Sequence, residues 1–200
     1  MRAETADDEG EDDNEDEYQV RAGHMKTLVV FYSRTGTTRR LAEVIAAELS
    51  AGAKASAGAG ASADATASVD IEEIVDKKSR KGALGAMIGG WDATFRRAAD
   101  IAEPEHNPAG YDLVVIGTPV WAWTMTPAVR AYLERQKGRL PQVALFALAA
   151  SSGADKTVAA MAKLAGKKPR ATLALTRGRG LGDEMLEQAR RFAAGLIPAP

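Results

Sequence analysis

The sequence contains no cysteine and only two histidines, His24 and His106. Without cysteine there are no disulfides, no iron–sulfur clusters, no thiolate zinc sites and no cysteine nucleophile. Two histidines are too few for a three-histidine metal site. The chain also lacks an apolar run long enough to span a bilayer and an N-terminal secretion signal, so we expect a soluble, cytoplasmic protein. Its chemistry is therefore expected to come from a bound cofactor, from hydroxyl groups or from the backbone.

The net charge of −1 conceals an uneven distribution along the chain. Residues 1–24 hold ten acidic residues against Arg2 and Arg21, which gives this segment a charge of −8. Residues 25–200 hold 24 basic and 17 acidic residues, which leaves +7. A dense charge run without apolar periodicity is typical of disorder. We interpret residues 1–25 as a disordered acidic tail or a segment left by cloning; a natural tail folded over the basic body is the alternative.

Residues 26–200 are predicted to form one domain in which short apolar runs alternate with helical periodicity. The predicted strands are Thr27–Tyr32, Val69–Val75, Asp112–Gly117, Val143–Ala149 and Ala171–Thr176. The predicted helices are Arg39–Leu49, Pro127–Gln136, Lys156–Leu164 and Asp183–Leu196, with a loop and a weak helix over Ala83–Ala99. Residues 51–68 are almost entirely Ala, Gly and Ser, which predicts a flexible insertion.

Strands that alternate with helices predict an α/β fold with right-handed crossovers. Five such units predict a three-layer, doubly wound, five-stranded parallel sheet. Ligands of such sheets bind beyond the carboxyl ends of the strands, where the strand order reverses. For the order 2-1-3-4-5, this rule places the candidate site at the loops after the first, third and fourth strands.

The loop after the first strand is rich in hydroxyl groups and leads directly into a helix. Its residues are Ser33, Arg34, Thr35, Gly36, Thr37 and Thr38. Four hydroxyl side chains, a glycine that lets the backbone curl and a helix N-terminus together suit an anion. Capping of the helix by a single hydroxyl is the alternative, but it would need only one of the four. The pattern favours phosphate binding.

The loop after the third strand holds two tryptophans beside a proline. It comprises Thr118, Pro119, Val120, Trp121, Ala122 and Trp123. Stacking on a planar ring explains indoles in a surface loop better than core packing does, and an indole folded back on a helix is the alternative. After the fourth strand, the small residues of Ala149–Ala154 allow a ring to approach the backbone closely, with Ser151, Ser152 and Gly153 as the site candidates.

These three loops together resemble those of the flavodoxin family. Tyr32–Thr38 is similar to its phosphate loop, of pattern S/T-x-T-G-x-T, and Val115–Trp121 and Ser151–Thr157 are similar to its two flavin loops. The similarity runs from Lys26 to about Ile197, apart from the Ala-rich insertion. The resemblance implies a non-covalently bound FMN. Ser33–Thr38 would hold the phosphate, Pro119–Trp123 would flank the isoalloxazine ring with Trp121 stacked on it, and Ser151–Gly153 would line the pyrimidine side.

The resemblance implies an electron-transfer protein that works with a reductase and an acceptor. Three features depart from the family pattern: Trp123 stands where many members have glycine, the third loop lacks a tyrosine over the second ring face, and the body is basic. An FMN-dependent NAD(P)H:quinone-type oxidoreductase is therefore the alternative, and an interaction module without flavin is a third possibility. We expect neither nucleic acid nor a metal ion as a ligand.

Overall fold

A computed structural model describes residues 25–56, 68–77, 98–178 and 180–197. The chain begins with β1 (Thr27–Phe31), α1 (Thr37–Ser56) and β2 (Val69–Glu73). A 3₁₀ turn at Pro108–Gly110 precedes β3 (Leu113–Trp121) and the short β4 (Thr124–Met125). The remaining elements are α2 (Pro127–Gln136), β5 (Gln142–Ala149), α3 (Ala154–Ala165), β6 (Thr172–Thr176) and α4 (Asp183–Ala194). No helix in these ranges is long and apolar enough to cross a membrane.

Five strands form a parallel sheet in the order β2-β1-β3-β5-β6, and β4 pairs antiparallel with the end of β3. Numbered among the parallel strands alone, this is the order 2-1-3-4-5, so the predicted fold class is confirmed. Helices α1 and α4 pack together on one face of the sheet, and α2 and α3 cover the other. The result is a three-layer α/β/α sandwich.

The central strands are buried on both faces, which explains why they are apolar runs rather than alternating patterns. All five residues of β1 are buried. Val29 and Phe31 belong to the core beneath α1 and α4, whereas Leu28 and Val30 belong to the core beneath α2 and α3. The successive side chains of one strand therefore hold the two helical layers to the same sheet.

Helix α1 is longer than the predicted Arg39–Leu49: it begins at Thr37 and continues to Ser56. The first part of the predicted flexible insertion is thus helical. Alanine has the highest helix propensity, and Gly52 packs so closely on Ile197 that a Cβ there would lie 1.9 Å from Cδ1 of the isoleucine. Residues 1–24, 57–67 and all but the last two residues of the predicted weak helix lie outside the described ranges; those last two, 98 and 99, are not helical.

Strand β3 continues beyond its predicted end at Gly117 as far as Trp121, although this segment contains a proline. The carbonyl of Gly117 accepts a hydrogen bond from Tyr32 N–H at 3.3 Å, on the side of β1. Pro119, two residues later, presents its nitrogen to the same side. The pairing of β1 ends at Gly117, so no strand there requires an amide proton from Pro119.

We expect Gly117→Ala to destabilise the fold by about 1–3 kcal/mol, the usual cost of overpacking a core. A Cβ at Gly117 would lie 1.9 Å from Cζ of Phe146 on the neighbouring strand. Gly110→Ala is the control, since a Cβ there has nothing within 4 Å. Urea unfolding measures both variants, and Phe146→Leu should reduce the cost of the Gly117 substitution. Unchanged stability of Gly117→Ala would contradict this packing.

Candidate functional site

A cleft opens at the carboxyl end of the sheet, between the loop after β1, the end of β3 and the ends of β5 and β6. It contains about 590 Å³ of empty space, including its open mouth. The lining residues are Arg34, Thr35, Thr37, Thr38, Pro119, Val120, Trp121, Leu148, Ala150 and Arg177. Seven of these ten belong to the first and second predicted loops. The structure therefore brings those two loops together in one cleft.

Gly36 turns the loop after β1 into the N-terminus of α1. Its φ is +83°, a left-handed conformation that glycine adopts without steric cost. Its carbonyl accepts the first hydrogen bond of the helix from Arg40 N–H at 3.0 Å. The first turn of α1 contains no acidic residue. The positive end of the helix dipole is therefore not neutralised by a side chain of its own turn, which favours an anion there.

The hydroxyl groups of this loop have few partners within the protein. The Oγ1 atoms of Thr35 and Thr37 lie 3.2 Å apart, so they share one hydrogen bond. The Oγ of Ser33 is buried and has no hydrogen-bond partner in the described part of the chain. A buried hydroxyl without a partner costs about 1–3 kcal/mol. A set of hydroxyl donors that needs acceptors fits a phosphate group.

Trp121 forms the aromatic wall of the cleft. Tyr32 packs edge-on against it, with the ring centroids 5.7 Å apart and the planes at 87°. The guanidinium carbon of Arg34 lies 5.3 Å from the centroid of the indole, a cation–π contact. The guanidinium therefore lies over one face of the indole, and a planar group would stack on the other face.

Ala122 and Trp123 form a two-residue turn between β3 and β4, in which Trp121 pairs with Thr124. Their φ angles are +46° and +60°. Tight hairpins adopt such a left-handed pair and usually place Asn-Gly or Gly-Gly there. A left-handed residue other than glycine costs on the order of 1–2 kcal/mol. Trp123, which stands where many members of the resembled family have glycine, therefore bears this cost.

Trp123 connects the second predicted loop to the third. Its indole Nε1–H donates to Ser152 Oγ at 3.2 Å. Gly153, with φ of +94°, lies so close that an added Cβ would be 3.2 Å from Cα of Trp123. The tryptophan side chain nevertheless stays 70% exposed. Residues 151–153 of the third loop are therefore attached to the hairpin through Trp123 and do not line the cleft themselves.

Eight of the predicted site residues do not line the cleft: Ser33, Gly36, Thr118, Ala122, Trp123, Ser151, Ser152 and Gly153. Thr118 is fully buried, and its hydroxyl accepts a hydrogen bond from Thr126 N–H at 3.1 Å. This contact ties the hairpin to the start of α2, since Thr126 is the N-cap of that helix. Direct contact with a ligand stays a prediction for all fifteen predicted site residues, the seven that line the cleft included.

Three lining residues were not predicted: Leu148, Ala150 and Arg177. Leu148 and Ala150 flank the end of β5, and Arg177 directly follows β6. The loop after the fifth predicted strand, which holds Arg177, was not among the three loops expected to form the site. The strand order could have indicated Arg177, because β6 lies beside β5 and the carboxyl end of β6 reaches the same edge of the sheet.

Several titratable side chains outside the cleft are paired with one another. The Nδ1 of His106 lies 3.1 Å from Oε2 of Glu72, which also accepts the His106 backbone N–H at 3.1 Å. Burial, together with a hydrogen bond to Asp70, raises the pKa of Tyr111 to about 12. Within the described ranges, no group of three or more His, Asp or Glu side chains could hold a metal ion.

Comparison with known proteins identifies relatives of this chain. A family model described as Flavodoxin matches residues 26–186. A flavoprotein from Lactobacillus acidophilus NCFM in complex with FMN is 21% identical, with a TM-score of 0.58 over 74% of this chain and 92% of that chain. A WrbA-like flavodoxin from Agrobacterium tumefaciens is 17% identical, with a TM-score of 0.51 over 85% of this chain and 96% of that one. The rubredoxin oxygen:oxidoreductase of Desulfovibrio gigas is 15% identical, with a TM-score of 0.56 over 90% of this chain and 37% of that one.

A search of curated proteins found no significant match. At the sequence identities of the three solved structures, their likeness shows a shared fold, while the family match covers most of the chain.

We expect Ala122→Gly to raise the free energy of unfolding by about 1 kcal/mol, because glycine removes the steric cost of the left-handed φ at this position. Ala150→Gly is the matched control, an exposed loop alanine whose φ is not positive. There glycine should lower stability slightly, because it only adds freedom to the unfolded chain. Thermal unfolding measures both. A loss of stability in Ala122→Gly would contradict the left-handed turn.

Proposed function

The chain belongs to the flavodoxin family, and from that premise we propose that it binds FMN in the cleft and transfers electrons between a reductase and an acceptor protein. FMN supplies the redox chemistry when bound, and the protein supplies binding, orientation and electrostatics. The phosphate would be held by Thr35, Thr37 and the first turn of α1. The flavin ring would stack on Trp121. We place this activity in the cytoplasm.

The arrangement of the two ends of the cleft carries this proposal. At one end, the threonine hydroxyls and the N-terminus of α1 favour a phosphate group. At the other end, the half-buried indole of Trp121 favours a planar ring. The phosphate and the planar ring are the two ends of FMN, so the cleft provides a suitable binding surface for each of them.

The character of the lining favours electron transfer over a reaction that makes or breaks bonds in a substrate. Proton transfer to a substrate needs a side chain that titrates near the working pH. The described residues of the cleft are threonines, arginines and apolar residues, with no Asp, Glu, His, Lys or Tyr among them. Such a lining suits a cofactor that accepts electrons from one protein and passes them to another.

Trp123 favours a second function, an FMN-dependent NAD(P)H:quinone-type oxidoreductase. Its indole is 70% exposed beside the hairpin and gives a stacking surface to a planar acceptor. The charge of +7 on residues 25–200 would attract an anionic nicotinamide donor.

The protein without flavin should bind one FMN per chain, and Thr37→Val should weaken that binding by about 10–100-fold, the loss of a hydrogen bond to a charged group. Riboflavin lacks the phosphate, so it should bind the variant and the wild-type protein equally well. Thr172→Val is the control, an exposed threonine at the start of β6, at the opposite edge of the sheet. Quenching of flavin fluorescence measures each dissociation constant. Failure of the wild-type protein to bind FMN would disprove the proposal and favour an interaction module.

Steady-state oxidation of NADPH in the presence of a quinone separates the two functions. An electron carrier loaded with FMN should give negligible turnover until a reductase is added. An oxidoreductase should turn over alone, and Trp123→Gly should then raise the KM for the quinone several-fold. Turnover by the wild-type protein alone would overturn the carrier function.

A further inference from the structure

The cleft carries positive charge and no negative charge among its described lining residues. Arg34 and Arg177 are the charged side chains of that lining. Neither guanidinium has a carboxylate within 4 Å in the described part of the chain. Arginine side chains near a protein surface usually find an acidic partner or remain in open solvent. Arg34 is exposed to solvent, whereas Arg177 is half-buried, so it is Arg177 that points to an anionic ligand.

The two arginines differ in their surroundings. The guanidinium of Arg34 lies over the indole of Trp121 and so has a partner in the second loop. Arg177 has no such contact among the described residues. Its backbone is nevertheless fixed, since its N–H donates to the carbonyl of Ala149 at 2.9 Å and its carbonyl accepts from Gly180 N–H at 2.9 Å. A half-buried arginine on a fixed backbone thus lines the cleft with a side chain that contacts no charged or aromatic partner in the described ranges.

The phosphate loop leaves charge uncompensated. A phosphate monoester carries about −1.5 to −2 charges at pH 7. A helix N-terminus supplies the equivalent of about +0.5, and threonine hydroxyls are neutral donors. A guanidinium supplies a full positive charge and a planar fork of donors that matches two phosphate oxygens. Two lining side chains can supply such a charge: Arg34, whose guanidinium lies over the indole of Trp121, and Arg177 at the end of β6, which has no such contact among the described residues.

We propose that Arg177 determines specificity for the phosphate of the flavin nucleotide, by donating hydrogen bonds to that phosphate from the wall of the cleft formed by β5 and β6. This inference rests on the proposed binding of FMN. It adds a fourth segment, the one after β6, to the three loops that the sequence singled out. Arg177 then distinguishes FMN from riboflavin, because riboflavin offers no anion at this position.

Binding of FMN and riboflavin to the full chain tests this role. Arg177→Gln should weaken FMN binding about tenfold or more, the cost of losing a charged hydrogen-bond partner, and should change riboflavin binding by less than twofold. Arg177→Lys should fall between, because lysine keeps the charge and loses the fork. Arg190→Gln is the matched control, the same charge change on an exposed residue of α4 that does not line the cleft. It should leave both affinities unchanged.

Inorganic phosphate provides a readout that does not depend on the flavin ring. It should raise the thermal unfolding midpoint of the flavin-free wild-type protein and of Arg190→Gln, and have no effect on Arg177→Gln. Equal weakening of FMN and riboflavin, or no weakening of either, would overturn the role of Arg177 while FMN binding stands. If the wild-type protein bound neither flavin, the proposed function would fail, and phosphate protection independent of Arg177 would then overturn this inference as well.

Discussion

The candidate site depends on the length of β3 relative to its neighbour β1. Phe31, the last residue of β1, pairs with Gly117, whereas β3 continues for four more residues to Trp121. The chain leaving β1 therefore turns toward α1 while β3 rises beside it, and the space between them is the cleft. Phe146 packs over Gly117, so any side chain at 117 would collide with its ring and disturb this register. Binding geometry and core packing thus both depend on β3 at Gly117, where it pairs with β1 on one side and β5 on the other.

Most of the fold could be predicted because the sequences of buried parallel strands are short apolar runs. Where the prediction was wrong, contacts between distant segments decided the structure. The end of α1 is held by Gly52 against Ile197 near the opposite end of the domain, and local composition indicates only flexibility there. The proline in β3 indicated a loop, yet its nitrogen lies on the side where β1 has already ended. Neither contact can be derived from periodicity.

The site could be predicted to the extent that its parts are contiguous in the chain. The loop with Gly36 is one such part, because strand, glycine and helix follow one another. Arg177 could not be found in this way, since its position depends on β6 lying beside β5. For Trp123, the local sequence does not indicate the contacts that offset the cost of its positive φ, namely those with Ser152 and Gly153 in another loop. Strained residues persist where the surrounding structure over-determines them, and they cluster at functional sites.

The local distribution of charge matters more for the cleft than the net charge of −1. The acidic residues of β2 each have a partner: Asp70 accepts from the Tyr111 hydroxyl, Glu72 accepts from backbone N–H groups of 105 and 106, and Glu73 pairs with Arg39. Salt screens charges beyond about 8 Å under physiological conditions. The arginines that line the cleft act within that distance on a ligand, while distant acids are screened. An anion in the cleft is therefore stabilised there regardless of the sign of the whole chain.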